Sequence, residues 1–169
     1  KPASERSGSR LMVLDCEQET IAHHTFQDLF SFLRAGDCLV LNETRVFPAR
    51  LKGHRVGTGG AVELLLWRPD GACWEAMARP GRRLKPGAEI GFEGSDQIAV
   101  IEDVLDSGHR RIRFSDPDAL DDLLTTQGHI PLPPYIRRED TAEDRERYQT
   151  VYARVDGSVA APTAGLHFT

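Results

Sequence analysis

Residues 53–114 contain only short apolar runs, and Gly, Pro and Asp punctuate them throughout. Four of these runs have strand length: VELLLW at 62–67, WEAMA at 74–78, IAVIEDV at 98–104 and RRIRF at 110–114. Each is too short for a stable helix, and the residues between them favour chain reversal. The expectation is a small all-β module. A GTGGAV run at 57–62 has the composition of a nucleotide-binding glycine loop. It leads into a strand rather than a helix, so it carries no such assignment.

The flanking segments follow different patterns. Residues 11–15 are apolar enough for a strand. Thr25 then caps a helix with Phe26, Leu29, Phe30 and Leu33 on its apolar face, and Gly36 ends it. The run LVL at 39–41 is expected to be a buried strand that delivers the polar residues Asn42, Glu43, Thr44 and Arg45 at its end. Asp116 and Pro117 start a second helix, with Leu120, Leu123 and Leu124 on one face and Gly128 past its end. A third, charged helix is expected from Thr141 to about Gln149.

Residues 133–169 are unusual in composition. Pro133 and Pro134 lead into Tyr135 and two arginines, and Tyr148, Gln149 and Tyr152 follow the charged helix. The run GSVAAPTAG at 157–165 has almost no bulk to bury and ends against Leu166, His167 and Phe168. Such a stretch is either a site of close approach for a ligand or a tight turn between two elements. Gly157 and Gly165 can take backbone angles that other residues avoid.

The segments LVLNETRVFPARLK (39–52), PPYIRR (133–138), YQTVYA (148–153) and GSVAAPTAGLHFT (157–169) are long and specific motifs. With RLMVLD (10–15) and RPGRRLKPG (79–87), they strongly resemble the S-adenosylmethionine:tRNA ribosyltransferase-isomerase family of queuosine biosynthesis. The resemblance implies an α/β fold: a mixed α/β barrel-like domain, partly present, interrupted by a small antiparallel β-barrel. It divides the chain into a catalytic domain at 1–52 and 131–169 and an inserted barrel at 53–130. Members of the family continue for roughly as many residues again, as domain size allows. Part of the active site is therefore expected outside this sequence, and the chain alone is expected to be inactive.

The resemblance also implies the reaction. The ribosyl part of S-adenosylmethionine, the donor substrate, is transferred and isomerised onto 7-aminomethyl-7-deazaguanine in tRNA. Epoxyqueuosine forms, with release of adenine and methionine, and no metal is implied. Such chemistry needs proton removal beside the sulfonium, help for the departing adenine and a deprotonated amine. His167 and Glu43 are the candidate acid–base groups, histidine being the side chain whose unperturbed pKa lies near neutrality. Against these roles, His167 can be a packed side chain, and Glu43 can pair with Arg45 or Arg50. Asn42, Thr44, Arg45, Tyr135, Arg137, Tyr148, Gln149, Pro162, Thr163 and Gly165 are the candidate substrate-binding residues.

Net charge is −5, yet binding to nucleic acid depends on where charge sits. Arg79, Arg82, Arg83 and Lys85 lie in an acid-free run, and Arg45, Arg50, Lys52 and Arg55 make a second basic stretch. A basic loop can be merely a solvated surface, but the resemblance favours Arg79, Arg82, Arg83 and Lys85 as tRNA contacts. The expected partner is tRNA, the expected assembly a monomer and the expected compartment the cytoplasm, without a membrane. Three cysteines without CxxC spacing suggest neither a disulfide framework nor a zinc site. His23, His24, His54, His109 and His129 lack ligand-like spacing and read as surface or packing residues. A binding-only RNA module is the alternative; a metal-independent hydrolase lacks any GxSxG or Cys/His arrangement.

Overall fold

Alternation decides the barrel. In the strand Ala61–Asp70, Val62, Leu64 and Leu66 are buried while their neighbours face outward, the signature of a sheet with one covered face. The computed structural model describes residues 5–133 and 135–169. Along it run β1 (Arg10–Asp15), β2 (Thr20–Thr25), β3 (Thr44–Val46), β4 (Arg50–Arg55), β5 (Ala61–Asp70) and β6 (Cys73–Arg79). There follow β7 (Glu89–Gly91), β8 (Ile98–Val104), β9 (Arg110–Phe114), α1 (Leu120–Gln127), α2 (Ala142–Arg147) and β10 (Val155–Ser158).

Six strands close into an antiparallel barrel in the order β4–β5–β6–β9–β8–β7, and β4 meets β7 again through His54↔Gly91 and Arg55↔Ile90. Closure leaves no sheet edge exposed. Inside it, Leu51, Leu64, Leu66, Ile90, Ile101 and Ile112 are fully buried. Helix α1 adds Leu120, Leu123 and Leu124 to the same cluster. All four expected strands between 62 and 114 are present, and β8 and β9 match residue for residue. Sequence reading missed β4, whose Gly53 and His54 interrupt the apolar pattern, and the three-residue β7.

Buried Arg110 does structural work in the barrel wall. Its Nε donates to the Leu84 carbonyl at 2.9 Å and one terminal nitrogen to the Gly81 carbonyl at 2.6 Å. The other terminal nitrogen donates to the Gly108 carbonyl. Charge-assisted bonds of this kind fix the basic loop from beneath while its own cations stay outside.

Outside the barrel lie a β1–β2 hairpin, a parallel β3–β10 pair and short helices, so the mixed α/β expectation holds in outline. Three local expectations are corrected. Residues 39–41 form no strand and are exposed, Val40 at 86%. A strand needs a neighbour for its backbone groups, and β10 begins pairing only at Thr44. The segment after Thr25 is a 3-10 helix, Phe26–Phe32, rather than an α-helix. Thr25 and Asp28 do make its capping box, but Phe30 and Phe32 stay exposed and no residue of the helix is buried, so packing does not favour its extension. Pro134, one of the two prolines of the PPYIRR motif, lies outside the described residues.

Helix α2 is shorter than expected because Tyr148 already leaves the helical conformation. Its start is strongly fixed. The Asp144 carboxylate accepts from the Thr141 N–H at 2.8 Å and hydroxyl at 3.0 Å, and from both terminal nitrogens of Arg138 at 2.5 and 2.8 Å. Arg138 foremost, then Thr141, holds the Asp144 carboxyl well below the ordinary carboxylate range, against burial. A lowered folded-state pKa stabilises the protein above the unfolded value and is lost as pH falls toward the folded one. Asp144→Asn is expected to cost about 1–2 kcal/mol at pH 7. Urea midpoints should show the gap between variant and parent narrowing below about pH 4.

Candidate functional site

Two signature segments more than a hundred residues apart meet along β3 and β10. The strands pair in parallel, Val155↔Thr44 and Asp156↔Arg45, with an irregularity before Ser158↔Val46. Beyond them the Phe47 N–H reaches the Ser158 carbonyl at 3.2 Å. At the other end the Glu43 carbonyl accepts from the N–H groups of Arg154 at 2.8 Å and Val155 at 3.3 Å. The buried Gln149 amide acts as a third strand would. Its Oε1 accepts from the Val46 N–H at 2.8 Å and its Nε2 donates to the Val46 carbonyl at 2.6 Å. Arg6 in turn donates to the carbonyls of Gln149 and Arg147 at 2.6 and 2.7 Å.

A second hydrophobic cluster fills the adjoining space, with Val46, Ile130 and Ala161 buried and Leu132, Tyr148 and Leu166 packed against them. Burial raises the Tyr148 phenol pKa, and a backbone hydrogen bond from Ala161 opposes that rise. So Tyr148, Gln149 and the small-residue run share one packed unit.

The remaining candidates divide. The Asn42 Oδ1 accepts from the Thr44 N–H at 2.9 Å and hydroxyl at 2.7 Å, a local turn that shapes the approach to β3. Glu43 pairs with neither Arg45 nor Arg50: its carboxylate takes the Arg154 guanidinium, with Nε at 3.0 Å. Arg50 reaches Asp140 instead, at 3.7 Å. Arg45 is exposed and has no ion-pair partner among the described residues. Tyr135 is 76% exposed yet acts electrostatically on Tyr148 of the packed unit, and Arg137 is exposed. Pro162 precedes a 3-10 helix, Thr163–His167, on which Thr163 is exposed and Gly165 buried.

Gly165 is not in the left-handed region, whereas Gly157 is, at φ 143°. The constraint on Gly165 is spatial. A Cβ there would lie 2.4 Å from the Tyr152 hydroxyl and 2.8 Å from the Thr150 methyl. At the end of this helix His167 Nδ1 is 2.8 Å from the Ser9 hydroxyl, and its ring centroid is 5.2 Å from that of Phe26. His167 and Glu43 make no direct contact with each other. Arg154 and Ser9, the partners of the two acid–base candidates, escaped sequence reading because each lies far along the chain from the group it holds.

The basic loop forms a separate surface on the barrel. Arg83 and Lys85 line a groove of about 420 Å³ together with Arg55, which comes from β4. Arg79, Arg82, Arg83, Lys85 and Arg55 have no ion-pair partner among the described residues. The second basic stretch is split: Arg50 and Lys52 pair with Asp140 and Glu139, while Arg55 joins the loop.

The model of the queuosine biosynthesis protein family matches residues 1–169. The chain belongs to that family. It is 48% identical over 170 residues to S-adenosylmethionine:tRNA ribosyltransferase-isomerase of Acetivibrio thermocellus, covering 100% of this chain and 49% of that one. The proteins of the same name from Syntrophomonas wolfei and Clostridioides difficile are 52% and 47% identical, each match covering 99% of this chain and 48% and 49% of theirs. The chain thus spans about half the length of the curated relatives it matches. A crystal structure of S-adenosylmethionine tRNA ribosyltransferase from Thermotoga maritima is 33% identical, with a TM-score of 0.43 over 80% of this chain and 47% of that one.

The packing around Gly165 gives a direct test of its role in this family member. Gly165→Ala should lower the melting temperature, because a backbone-borne methyl must displace Tyr152 or Thr150. Tyr152→Phe removes the nearest atom and should recover part of that loss in the double variant. Unchanged melting in Gly165→Ala would mean that the turn does not need its glycine.

Proposed function

We propose that this chain forms part of an S-adenosylmethionine:tRNA ribosyltransferase-isomerase. The observation that carries this is family membership over the whole chain together with relatives of that name at about half identity. The proposed reaction transfers and isomerises the ribosyl part of S-adenosylmethionine onto 7-aminomethyl-7-deazaguanine in tRNA, forming epoxyqueuosine and releasing adenine and methionine. Residues 1–49 and 131–169 are assigned to the catalytic domain and 50–130 to an inserted barrel domain, since the barrel strand β4 begins at Arg50 rather than at the expected 53, the whole acting as a monomer in the cytoplasm. No described helix is long and apolar enough to cross a membrane.

His167 is the proposed base for the proton beside the sulfonium. Support comes from its anchoring: with Nδ1 on Ser9 and the ring against Phe26, Nε2 is the nitrogen that would handle a proton. Glu43 has the lesser claim as a base, since its carboxylate already holds Arg154. Its proposed role is to orient the Asn42–Arg45 turn toward the substrate. Tyr135, Arg137, Tyr148, Gln149, Pro162, Thr163 and Gly165 complete the proposed substrate-binding set, with Gln149 and Gly165 acting through the fit of the packed unit.

Full-length protein supplied with S-adenosylmethionine and tRNA carrying the aminomethyl base should release adenine. His167→Ala should lower that rate by roughly 10²–10⁴-fold with little change in tRNA affinity. An unchanged rate would move the base elsewhere, and no adenine from the parent protein would remove the catalytic assignment.

The groove lined by Arg83 and Lys85, with Arg79 and Arg82 exposed in the same loop, supports a tRNA-backbone contact through these four residues. Unpaired cations at a surface release counterions when they meet phosphate. Replacing Arg82 and Arg83 by alanine should weaken tRNA binding and flatten its logarithmic salt dependence by roughly one to two units. An unchanged slope in filter-binding titrations would exclude the loop as a phosphate contact. Binding without adenine release would favour the binding-only alternative.

A further inference from the structure

Trp67 interrupts the regularity of the barrel wall. Leu66 pairs with Ala76 and Arg68 with Glu75, so Trp67 is the extra residue of a bulge in β5. Alternation breaks there: Val62, Leu64 and Leu66 point into the core, whereas Trp67 and Arg68 both lie outside it. Trp67 is 43% exposed, the one aromatic side chain of β5 turned to the outside of the barrel.

Around it sits an organised set of planar groups. The His109 ring lies 6.1 Å from the Trp67 ring, tilted by 55°. His109 Nδ1 is 2.7 Å from Glu75 Oε1, and Arg68 Nε donates to Glu75 Oε2 at 2.7 Å. Glu75 is the buried member, its side chain only 8% exposed, while that of Arg68 is 70% exposed. Those two bonds, His109 first, hold the Glu75 carboxyl below its ordinary value, so both oxygens remain acceptors. A buried carboxylate thus uses both oxygens to fix an imidazole and a guanidinium beside an indole at the surface. Arg110, the next residue after His109, is the one that anchors the basic loop at Gly81 and Leu84.

We propose that Trp67, with His109 and Arg68 beside it, is a stacking platform for an unpaired nucleotide of RNA. Unstacked bases are held by aromatic, histidine and guanidinium planes, and such contacts tolerate sequence because every base has a π-face. A bulge that re-aims one side chain and a carboxylate that locks two more supply rigidity before the ligand arrives. The proposal rests on the tRNA reading and adds to it a site with different chemistry.

The test titrates the full-length protein with an unmodified tRNA transcript. Trp67→Ala should weaken binding roughly ten-fold, Trp67→Phe should retain most of the affinity, and neither should change the salt slope. Part of the tryptophan emission should be quenched by tRNA in the parent protein and not in Trp67→Phe. Parental affinity in Trp67→Ala, while replacement of Arg82 and Arg83 still weakens binding, would overturn the platform and leave the tRNA reading standing. A fall in melting temperature with tRNA binding intact would make Trp67 a structural contact and equally overturn it. No tRNA binding by the parent protein would overturn both.

Discussion

The chain enters and leaves the barrel through a neck where Arg50 and His129 exchange both backbone hydrogen bonds, at 3.1 and 2.8 Å. This pair ties the start of β4 to the segment that follows α1. Gly128 makes the approach possible: a Cβ there would lie 2.2 Å from the Leu124 carbonyl and 2.4 Å from that of Pro48. Asp140 then secures the outgoing segment, accepting from the Ile130 N–H at 2.9 Å while His129 Nδ1 lies 2.7 Å from its other oxygen. Arg145 adds bonds to the carbonyls of Thr125 and Gly128 at 3.2 and 2.8 Å. A closed barrel can be held so narrowly because its own core and its lack of edges make it self-sufficient.

From the neck outward, order is transmitted by backbone pairing rather than by bulk. Val46 is fixed by β10 on one side and by the Gln149 amide on the other, and a buried amide with both functions satisfied specifies one arrangement. Small residues at 157–165 let this happen at short range. Tyr152 and Thr150 occupy the space that a side chain at Gly165 would need, so at that position the closeness serves the protein's own packing. Gly157, with its positive φ, instead serves the turn of the chain within β10.

Charge is sorted by the same geometry. Arg50, Lys52 and Arg138 look like free cations in the sequence, yet each finds an acid between 139 and 144. Arg110 is consumed inside the barrel by carbonyls. Arg55, Arg83 and Lys85, by contrast, have no ion-pair partner among the described residues and share one groove. Pairs such as Lys52–Glu139 are exposed and contribute little stability individually.

Local chemistry was sufficient for β5, β6, β8, β9, the leucine face of α1 and the cap at Thr25, because alternation, turn residues and capping spacings act within a few residues, although α1 begins at Leu120 rather than at Asp116–Pro117. The long signature motifs were likewise enough to place the chain in its family. Sequence could not settle 39–41, where apolar character called for a strand and no neighbouring strand supplies one. Nor could it pair Glu43 with Arg154, His167 with Ser9, or Arg55 with Arg83 and Lys85. Separations of up to 158 residues divide these partners, and only chain topology brings them together. Which polar groups could act was legible in the residues themselves; which of them are already occupied was decided by the tertiary structure, since a carboxylate or imidazole does not encode its partner locally.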